Sequence, residues 1–411
     1  MPADKNAVTI VGAAVATMVP GSAGAPGDRD ADYGLIRDAA VVIDSDRVAW
    51  VGPRGLLPAQ WQQADQYPAA GRLITPGLVE CHAHLLFGGD RPEEQGAAGI
   101  RAVAAVTRSA SDDDLLSAAV RRAWWLIRQG VTTLEIKTGY GLDTAGELRL
   151  LRLAGQLRDV LPVRVRVTLL AGHTYPEGLV GSDREEYVIG ICDELLPAAL
   201  GLGILDEVEV YCEEEGGISM EDASTILETV YRKKVPTRVA ADHLSDSAGG
   251  ALAPAFYAKA AVYLNHTDDI AVIAMGKAGT TAVLVPAAAL DPGGPPGQPP
   301  VDLLREHQVP IAVSTGLNPL TAPLADPLAA AFLGCSLYGL TRREALHGIT
   351  ATAARALALA DGTGTLVAGG PADLVIWDAA GPEDLVGWLG APLCQEVWAA
   401  GEPVAQPGAG R

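Results

Sequence analysis

Two histidines separated by one residue follow a short apolar run in the first quarter of the chain. The stretch TPGLVECHAHLLFGGDR, Thr75 to Arg91, contains them as His82 and His84. Because side chains alternate between the two faces of a strand, residues two apart point to the same side. Two imidazoles placed in this way can both reach one zinc or iron ion. The pair predicts a metal site, and the alternative is that both are hydrogen-bonded residues filling space at a strand end.

Three further histidines each follow another strand-like run. They are His173, His243 and His266. Imidazole titrates near neutral pH and suits general acid–base catalysis, so these three are predicted catalytic groups. For His243 three interpretations stay open: a replacement metal ligand, a general base, or a loop residue at the surface.

Several other reactive side chains have simpler interpretations. His307 and His347 lie in helix or turn settings and are interpreted as structural. Lys137 and Glu213 either line the same site or form a solvated ion pair. Cys81, beside the histidine pair, is interpreted as a packed small residue, which is the commoner role of a buried free cysteine.

The middle of the chain alternates strand-like and helix-like segments. GVTTLEIKTGYG and VRVRVTLLAGH are typical of strands, whereas DTAGELRLLRLAGQLRDVL has Leu and Ala at helical steps. This pattern predicts an α/β protein with a (β/α)8 TIM-like barrel over residues 73–359, its site at the carboxyl ends of the strands. The two ends of the chain are rich in β-branched residues and turns. They predict a small β-sandwich domain built from residues 1–72 and 360–411.

Composition restricts the partners and the compartment. The chain has 411 residues with 49% hydrophobic residues, enough for a large core. Lys and Arg total 30 against 50 Asp and Glu, a net charge of −20, which disfavours nucleic acid and anionic membranes as partners. The five cysteines are scattered and odd in number, so a disulfide framework is not expected. No targeting segment or membrane span is recognised, and the predicted location is the cytoplasm.

Six runs of sequence, spread over nearly the whole chain, are specific enough to indicate descent. They are PGLVECHAHLLFGGDR, GVTTLEIKTGYGLDTAGELRLLR, VRVRVTLLAGHTYP, GTTAVLVPAA, STGLNPLTAPLADPLAAAFLGCSLYGLTRREALHGITATAARAL and GTLVAGGPADLVIWD. These runs resemble the imidazolonepropionase branch of the amidohydrolase superfamily. The resemblance implies a barrel with a β-domain from both termini, and a metal-dependent hydrolase that opens the ring of imidazolonepropionate in histidine breakdown.

The chain departs from the family pattern at the implied metal site. The family's metal-ligand histidine aligns with Ala240, and its aspartate, both ligand and water-activating base, aligns with Gly316. An acidic or amide residue of the family aligns with His243, and the segment GGDRPEEQGAAGI is shorter than its family equivalent. Two of four implied ligands are therefore absent. Since zinc sites use at least three protein ligands, His82 and His84 alone predict at most weak binding of zinc or iron.

Other residues match the implied pocket of the family. Arg91, Tyr140 and Asn318 are the implied substrate-binding residues, and His173 and His266 match pocket positions as well. An arginine at the mouth suits a carboxylate, because a guanidinium pairs with it in bidentate fashion. The resemblance therefore implies a nitrogen-rich substrate that bears a carboxylate.

Three functional hypotheses follow. The first is a diverged amidohydrolase that hydrolyses, cyclises or rearranges a C–N bond of a small molecule or modified peptide in natural-product tailoring, an analogy of fold. The second is an imidazolonepropionase with a metal site rebuilt from His82, His84 and either His243 or Asp242. The third is a pseudoenzyme that binds a small molecule or peptide without turnover. A homodimer is compatible with each of them.

Overall fold

A computed structural model describes residues 7–20, 29–214, 216–291 and 297–405. The outermost parts of the predicted terminal domain, residues 1–6 and 406–411, lie outside the described residues. Sixteen strands are present in this part of the chain: β1 Ala7–Ala16, β2 Leu35–Asp44, β3 Arg47–Pro53, β4 Asp65–Pro68, β5 Leu73–Pro76, β6 Leu78–Glu80, β7 Val131–Lys137, β8 Arg164–Leu170, β9 Glu207–Cys212, β10 Thr237–Ala241, β11 Ala260–Tyr263, β12 Thr281–Leu284, β13 Ile311–Val313, β14 Leu374–Trp377, β15 Cys394–Ala399 and β16 Glu402–Pro403.

Helices follow most of the strands in the middle of the chain. Their bounds are α1 Arg29–Tyr33, α2 Gly96–Ser109, α3 Asp112–Ile127, α4 Thr144–Val160, α5 Ser182–Gly190, α6 Leu196–Gly201, α7 Met220–Arg232, α8 Leu252–Ala255, α9 Asp269–Ala278, α10 Val301–Glu306, α11 Pro327–Tyr338, α12 Arg342–Gly348 and α13 Ala351–Ala356. Side-chain caps set several starts: Ser111 accepts from Asp114 N at α3, and Asp143 accepts from Gly146 N at α4. Within these helices, no segment is both long and apolar enough to cross a bilayer.

Strands β6 to β13 form one parallel sheet in which each strand lies beside its neighbour in sequence. Strand β7 is buried along its whole length, as expected for a strand covered on both faces. Glu80, at the end of β6, joins the first strand to the segment after the last one. It accepts from Thr315 N at 3.0 Å and from Thr315 Oγ1 at 2.6 Å. The predicted barrel architecture is confirmed.

The terminal segments form a separate mixed sheet in the order β16-β15-β14-β5-β1-β2-β3, with β4 paired to β1. Strand β5 runs parallel to β1 and antiparallel to β14, which joins the two ends of the chain. Because β5 ends at Pro76, the sheet extends past residue 72 of the predicted boundary. The exact domain limits stay a prediction.

Trp377 connects this sheet to the barrel. Its side chain is fully buried within the main hydrophobic cluster, and its Nε1 donates to Thr75 Oγ1 at 2.9 Å. A Cβ added at Gly130, just before β7, would lie 2.8 Å from the Trp377 ring, so the ring packs tightly against the barrel. Burial of a ring of this size makes a large contribution to stability.

Replacing Trp377 with alanine is expected to lower the free energy of unfolding by about 3–5 kcal/mol, because it leaves a cavity and removes the hydrogen bond to Thr75 Oγ1. Chemical denaturation followed by circular dichroism measures this change. The matched control is W388A, because Trp388 is 70% exposed and its loss should change stability by less than about 0.5 kcal/mol. Equal effects of the two substitutions would contradict the assigned packing.

Candidate active site

A cavity of about 310 Å³ lies at the carboxyl ends of the barrel strands. This volume is at the lower end of the range of small-molecule sites. The described residues that line it are His82, His84, Gln95, Gly96, Ile100, Tyr140, Leu170, His173, Glu209, Tyr211, Ala240, His243, Leu244, Tyr263, Asp291, Asn318, Leu320 and Thr321. The barrel therefore brings together four of the five predicted histidines, along with Tyr140 and Asn318.

Two predicted site residues lie outside the cavity wall. His266 stands three residues beyond the end of β11, and a Cβ added at Gly297 would lie 2.6 Å from its Cε1. Its ring thus packs against Gly297. Four of the five histidines line this cavity, and the convergence of all five at one barrel mouth stays a prediction. The Arg91 side chain is 41% exposed and forms a short ion pair with Asp291, one of the residues that line the cavity. The expected carboxylate-binding arginine is therefore engaged by a carboxylate of this chain.

The backbone of the histidine pair donates hydrogen bonds to its own strand, to the next strand and to the segment after the last strand. His82 N donates to Glu80 Oε1 at 2.9 Å, and Ala83 N donates to Glu135 Oε2 at 2.9 Å. His84 N donates to Leu317 O at 2.7 Å, across the closure of the barrel. These contacts fix both imidazoles at the floor of the cavity.

Glu147 organises the loop that carries Tyr140. Its buried carboxylate accepts from Gly139 N at 2.9 Å, Gly141 N at 2.7 Å and Leu142 N at 3.0 Å. Gly139 has φ +121, and a Cβ there would lie 2.7 Å from Leu170 Cδ2, so the position requires glycine. The run KTGYGLDTAGE therefore contains both the loop and Glu147, the acidic residue that holds the loop in shape.

The carbonyl of Gly139 also determines the protonation of His173. His173 Nδ1 donates to Gly139 O at 2.9 Å. A carbonyl can only accept, so Nδ1 carries the proton and Nε2 of the neutral ring is a lone pair. The lone pair belongs to a ring that lines the cavity.

His243 is held by a second acidic side chain. Glu213 accepts from His243 N and from Leu244 N, both at 2.9 Å. The His243 ring stacks on Tyr263 with centroids 3.9 Å apart, and its Nδ1 lies 3.2 Å from Tyr211 Oη. Of the three interpretations of His243, a loop residue at the surface is therefore wrong, because the ring is buried in the cavity wall.

Asp242, a candidate replacement ligand, turns away from the cavity. Its carboxylate accepts from Thr267 Oγ1 at 2.6 Å, Gly250 N at 2.9 Å and Gly249 N at 3.0 Å. These contacts use its acceptor capacity to shape the loop after β10. In this arrangement the Asp242 carboxylate serves its own loop and does not line the cavity.

The positions after β13 are shaped by a glycine and an amide. Gly316 has φ +66, and a Cβ added there would collide with Val285 Cγ1, so an aspartate does not fit without movement of its surroundings. Asn318 Oδ1 accepts from Leu320 N and Thr321 N at 2.8 Å, and its Nδ2 donates to Gly316 O at 2.8 Å. The Asn318 amide lines the cavity but is committed largely to its own loop.

Aromatic and imidazole rings surround the cavity. Ring centroids are separated by 5.8 Å for His82–His84, 5.5 Å for His84–His173, 5.8 Å for His173–Tyr211, 6.4 Å for Tyr211–Tyr263 and 5.5 Å for Tyr263–His82. These separations are those of favourable ring pairs. The side chains that line the space are therefore packed against one another and hold their positions.

Burial keeps these rings neutral. It lowers the pKa of His173 to about 4 and that of His243 to about 3. The pKa of His84 is held well below its ordinary value by burial and by the Lys137 charge. In the same way, burial raises the pKa of the Tyr140 phenol. At neutral pH these rings offer uncharged donors and acceptors.

A buried ionic cluster lies beneath the cavity. The Lys137 ammonium contacts Glu209 at 2.7 Å and Glu135 at 3.3 Å, and the Arg238 guanidinium lies 3.3 Å from Glu209. Burial alone would raise the pKa of Glu209, but the adjacent Lys137 charge holds it well below its usual range. Burial raises the pKa of Glu207, near Arg238, to about 7. Lys137 is thus a buried member of an ion cluster, and the interpretation as a solvated pair is wrong.

The donor set does not fit a resident metal ion. Over the described residues, no group of three or more His, Cys, Asp or Glu side chains is arranged to hold one. Lys137 Nζ lies 2.8 Å from His82 Nδ1, whereas a metal-ligating histidine usually presents this second nitrogen to a carboxylate or carbonyl acceptor. His82 and His84 are adjacent, as predicted, but they lack the further ligands that a zinc or iron site needs.

Several residues of the site were not predicted from sequence. Tyr211, Tyr263 and Glu209 line the cavity, and Glu80 and Glu147 hold its loops. One signal was present: charged residues at alternate positions of apolar strands, as in LEIK and VEVY, are unusual for covered strands. Such residues point into the barrel, where they must find partners.

Relatives of this chain include curated imidazolonepropionases. The enzyme of Cupriavidus pinatubonensis is 38% identical over 364 residues, which are 85% of this chain and 85% of the relative. The imidazolonepropionase of Pseudomonas putida is 38% identical over 391 residues, 92% of this chain and 96% of the relative. No protein-family model matches the chain.

Solved structures share the same fold at much lower identity. A 5-methylcytosine deaminase from Klebsiella pneumoniae superposes with a TM-score of 0.72 and 16% identity, covering 98% of each chain. An N-isopropylammelide isopropylaminohydrolase from Burkholderia multivorans has a TM-score of 0.70 and 21% identity, covering 97% of this chain and 98% of the other. By its barrel, its terminal sheet and its identity to the curated relatives over most of its length, this chain belongs to the imidazolonepropionase family of the amidohydrolase superfamily.

Proposed function

We propose that this chain hydrolyses a C–N bond of a small, nitrogen-rich molecule, using neutral histidines for proton transfer and no tightly bound metal ion. As a member of its superfamily the chain is an enzyme, a hydrolase that acts on C–N bonds. The observation that carries the finer proposal is His173: its Nδ1 donates to Gly139 O, so its Nε2 lone pair is available as a base. The cavity size favours a small molecule over a modified peptide.

The proposed reaction needs one base and one donor. His173 Nε2 accepts a proton from water, and the resulting hydroxide adds to the carbonyl carbon. A ring N–H in the cavity wall donates to the developing oxyanion, as in other preorganised sites. The imidazolium of His173 then returns the proton to the leaving nitrogen, the C–N bond breaks, and a carboxylic acid and an amine are released.

His243 has a supporting part in this proposal. Its Nε2 is buried without a partner among the described atoms, and its ring is stacked on Tyr263. It can contact the substrate through this nitrogen. His266 lies outside the cavity wall and takes no part in the proposed reaction. Arg91 stays at the rim of the cavity, paired with Asp291.

The second candidate is the reaction that the relatives' name describes, ring opening of imidazolonepropionate. The identity of 38% over 92% of the chain favours it. Against it, the donor set lacks a third metal ligand, and the described lining residues include no lysine or arginine to receive a propionate. A role in natural-product tailoring gains no support from these relatives and is not part of the proposal.

Imidazolonepropionate separates the two candidates. We expect little or no loss of its ultraviolet absorbance with this protein, whether metal-loaded or treated with a chelator, because the ligands that would activate water are absent. The imidazolonepropionase of Pseudomonas putida, assayed in parallel, is the positive control. Rapid turnover that is abolished by chelation and restored by zinc or iron would overturn the metal-free proposal.

A screen of small cyclic amides and ureides, read by mass spectrometry as gain of one water, identifies a substrate. With that substrate, kcat/KM is expected to stay constant from about pH 7 to about pH 5, since the His173 pKa is lowered to about 4. With a base of ordinary imidazole pKa, kcat/KM would fall roughly 25-fold over the same range. Activity should fall only as the pH drops through the His173 value, where the lone pair is protonated. A pH profile with a midpoint near 6.5 would contradict this assignment.

The variant H173N tests the same base by substitution. Asparagine can still donate to Gly139 O but carries no lone pair at the position of Nε2, so kcat should fall by about 10²–10⁴ with the fold intact. The matched control is H307N, because His307 lies at the end of α10, away from the cavity. An H173N variant with normal kcat would show that another group takes the proton.

A further inference from the structure

Lys137 contacts His82 at the floor of the cavity. Its Nζ lies 2.8 Å from His82 Nδ1, 2.7 Å from Glu209 Oε1 and 3.3 Å from Glu135 Oε1. Both Lys137 and His82 are 1% exposed. Between two carboxylates the lysine is an ammonium, which has three donors and no acceptor. The contact with His82 is therefore a hydrogen bond from lysine to the ring nitrogen.

This hydrogen bond determines which nitrogen of His82 carries the proton. Nδ1 must accept, so a neutral ring bears its proton on Nε2. Glu209 Oε2 also lies 3.5 Å from Nδ1, but the ammonium is nearer and leaves no room for a proton on that nitrogen. His82 Nε2 is buried and has no partner among the described atoms, and the ring lines the cavity. An N–H in this position can donate to a bound ligand, because no protein group uses it among the described atoms.

The opposite polarity is fixed at His173. Its Nδ1 donates to Gly139 O, so its Nε2 offers a lone pair to the cavity. The two rings are linked through His84, whose centroid lies 5.8 Å from that of His82 and 5.5 Å from that of His173. The wall of the cavity therefore has one fixed donor, at His82, and one fixed acceptor, at His173.

The charges of the lining residues restrict the ligand further. Glu209 and Asp291 are the charged side chains of the described wall, and both are acidic. The Arg91 guanidinium at the rim is paired with Asp291, and the Glu209 charge is balanced by Lys137. An anionic ligand would meet two carboxylates without a free cation, which is unfavourable in a buried site.

We propose that the cavity recognises a neutral cyclic amide: His82 Nε2–H donates to its carbonyl oxygen, and His173 Nε2 accepts from its N–H until the attacking water takes that place and donates to the same lone pair. Lys137 is the positioning residue that sets the His82 tautomer, and the same tautomer removes His82 as a metal ligand. The inference rests on the proposed function in one respect: it takes the oxygen that accepts from His82 to be the carbonyl oxygen of the C–N bond that is hydrolysed. The tautomer itself is a property of the resting protein.

The tautomer is measured by two-bond ¹H–¹⁵N correlation NMR on full-length protein labelled with [¹⁵N]histidine, with His82 assigned from the H82Q spectrum. We expect a pyrrole-type Nε2 and a pyridine-type Nδ1 in the native protein. A pyrrole-type Nδ1 on His82, donating to Glu209, would overturn the proposal. This measurement does not depend on turnover. The tautomer assignment can therefore be wrong while the hydrolase proposal is right, and the hydrolase proposal can be wrong while the tautomer assignment is right.

Removal of Lys137 tests its positioning role. Because K137M alone leaves Glu209 as a buried unpaired charge, the K137M/E209M double variant is used, which removes both charges together and adds no donor beside His82 Nδ1. His82 is expected to lose its single tautomer in this variant while the His173 signals keep theirs. An unchanged His82 spectrum in a folded double variant would show that Lys137 does not set the tautomer.

Ligand recognition is tested with 2-pyrrolidinone, a neutral cyclic amide, by titrating the His82 and His173 signals. N-methyl-2-pyrrolidinone lacks the N–H, cyclopentanone lacks the nitrogen, and pyroglutamate adds a carboxylate to the same ring. Each should bind about tenfold more weakly or worse, because one hydrogen bond is lost or a carboxylate is buried. H82Q, which keeps an N–H near the place of Nε2, should bind better than H82N. Equal affinity for all four compounds, or tighter binding of pyroglutamate, would overturn the amide assignment.

Discussion

The buried contact of Lys137 with Glu209 is the interaction on which the cavity depends. Two charges removed from water are stable only when they are closely paired, and here each lies within 2.7 Å of the other. The pair places an ammonium against His82 and holds the Glu209 carboxylate in the cavity wall. A buried pair of this kind contributes little net stability compared with apolar residues, so its value lies in the arrangement that it imposes.

A single device recurs in the loops around the cavity. Four buried acidic side chains accept hydrogen bonds from backbone or hydroxyl groups of loops that follow barrel strands: Glu80, Glu147, Glu213 and Asp242. Each carboxylate satisfies donors that a loop at the end of a parallel strand would otherwise leave unpaired. The loops are thereby fixed, and the histidines and tyrosines that they carry are preorganised for a ligand.

Family membership and site chemistry are separate matters in this chain. The barrel, the terminal sheet and the loops with their acidic anchors accompany 38% identity to imidazolonepropionases. The donor set around His82 and His84 is nevertheless short of a metal site within the described residues. A fold of this kind holds its catalytic groups at strand ends, so a few substitutions there change the chemistry and leave the scaffold intact.

Sequence alone determined the architecture, because hydrophobic periodicity and strand–helix alternation are local properties of the chain. It also located His82, His84, His173 and His243, since the ends of parallel strands meet at one edge of a barrel. The tertiary structure decided what these groups can do. Arg91 is neutralised by Asp291, 200 residues away, and the protons of His82 and His173 are set by Lys137 and by the Gly139 carbonyl. Protonation and pairing depend on which atoms of different strands come within hydrogen-bond distance, and a one-dimensional pattern does not contain that distance.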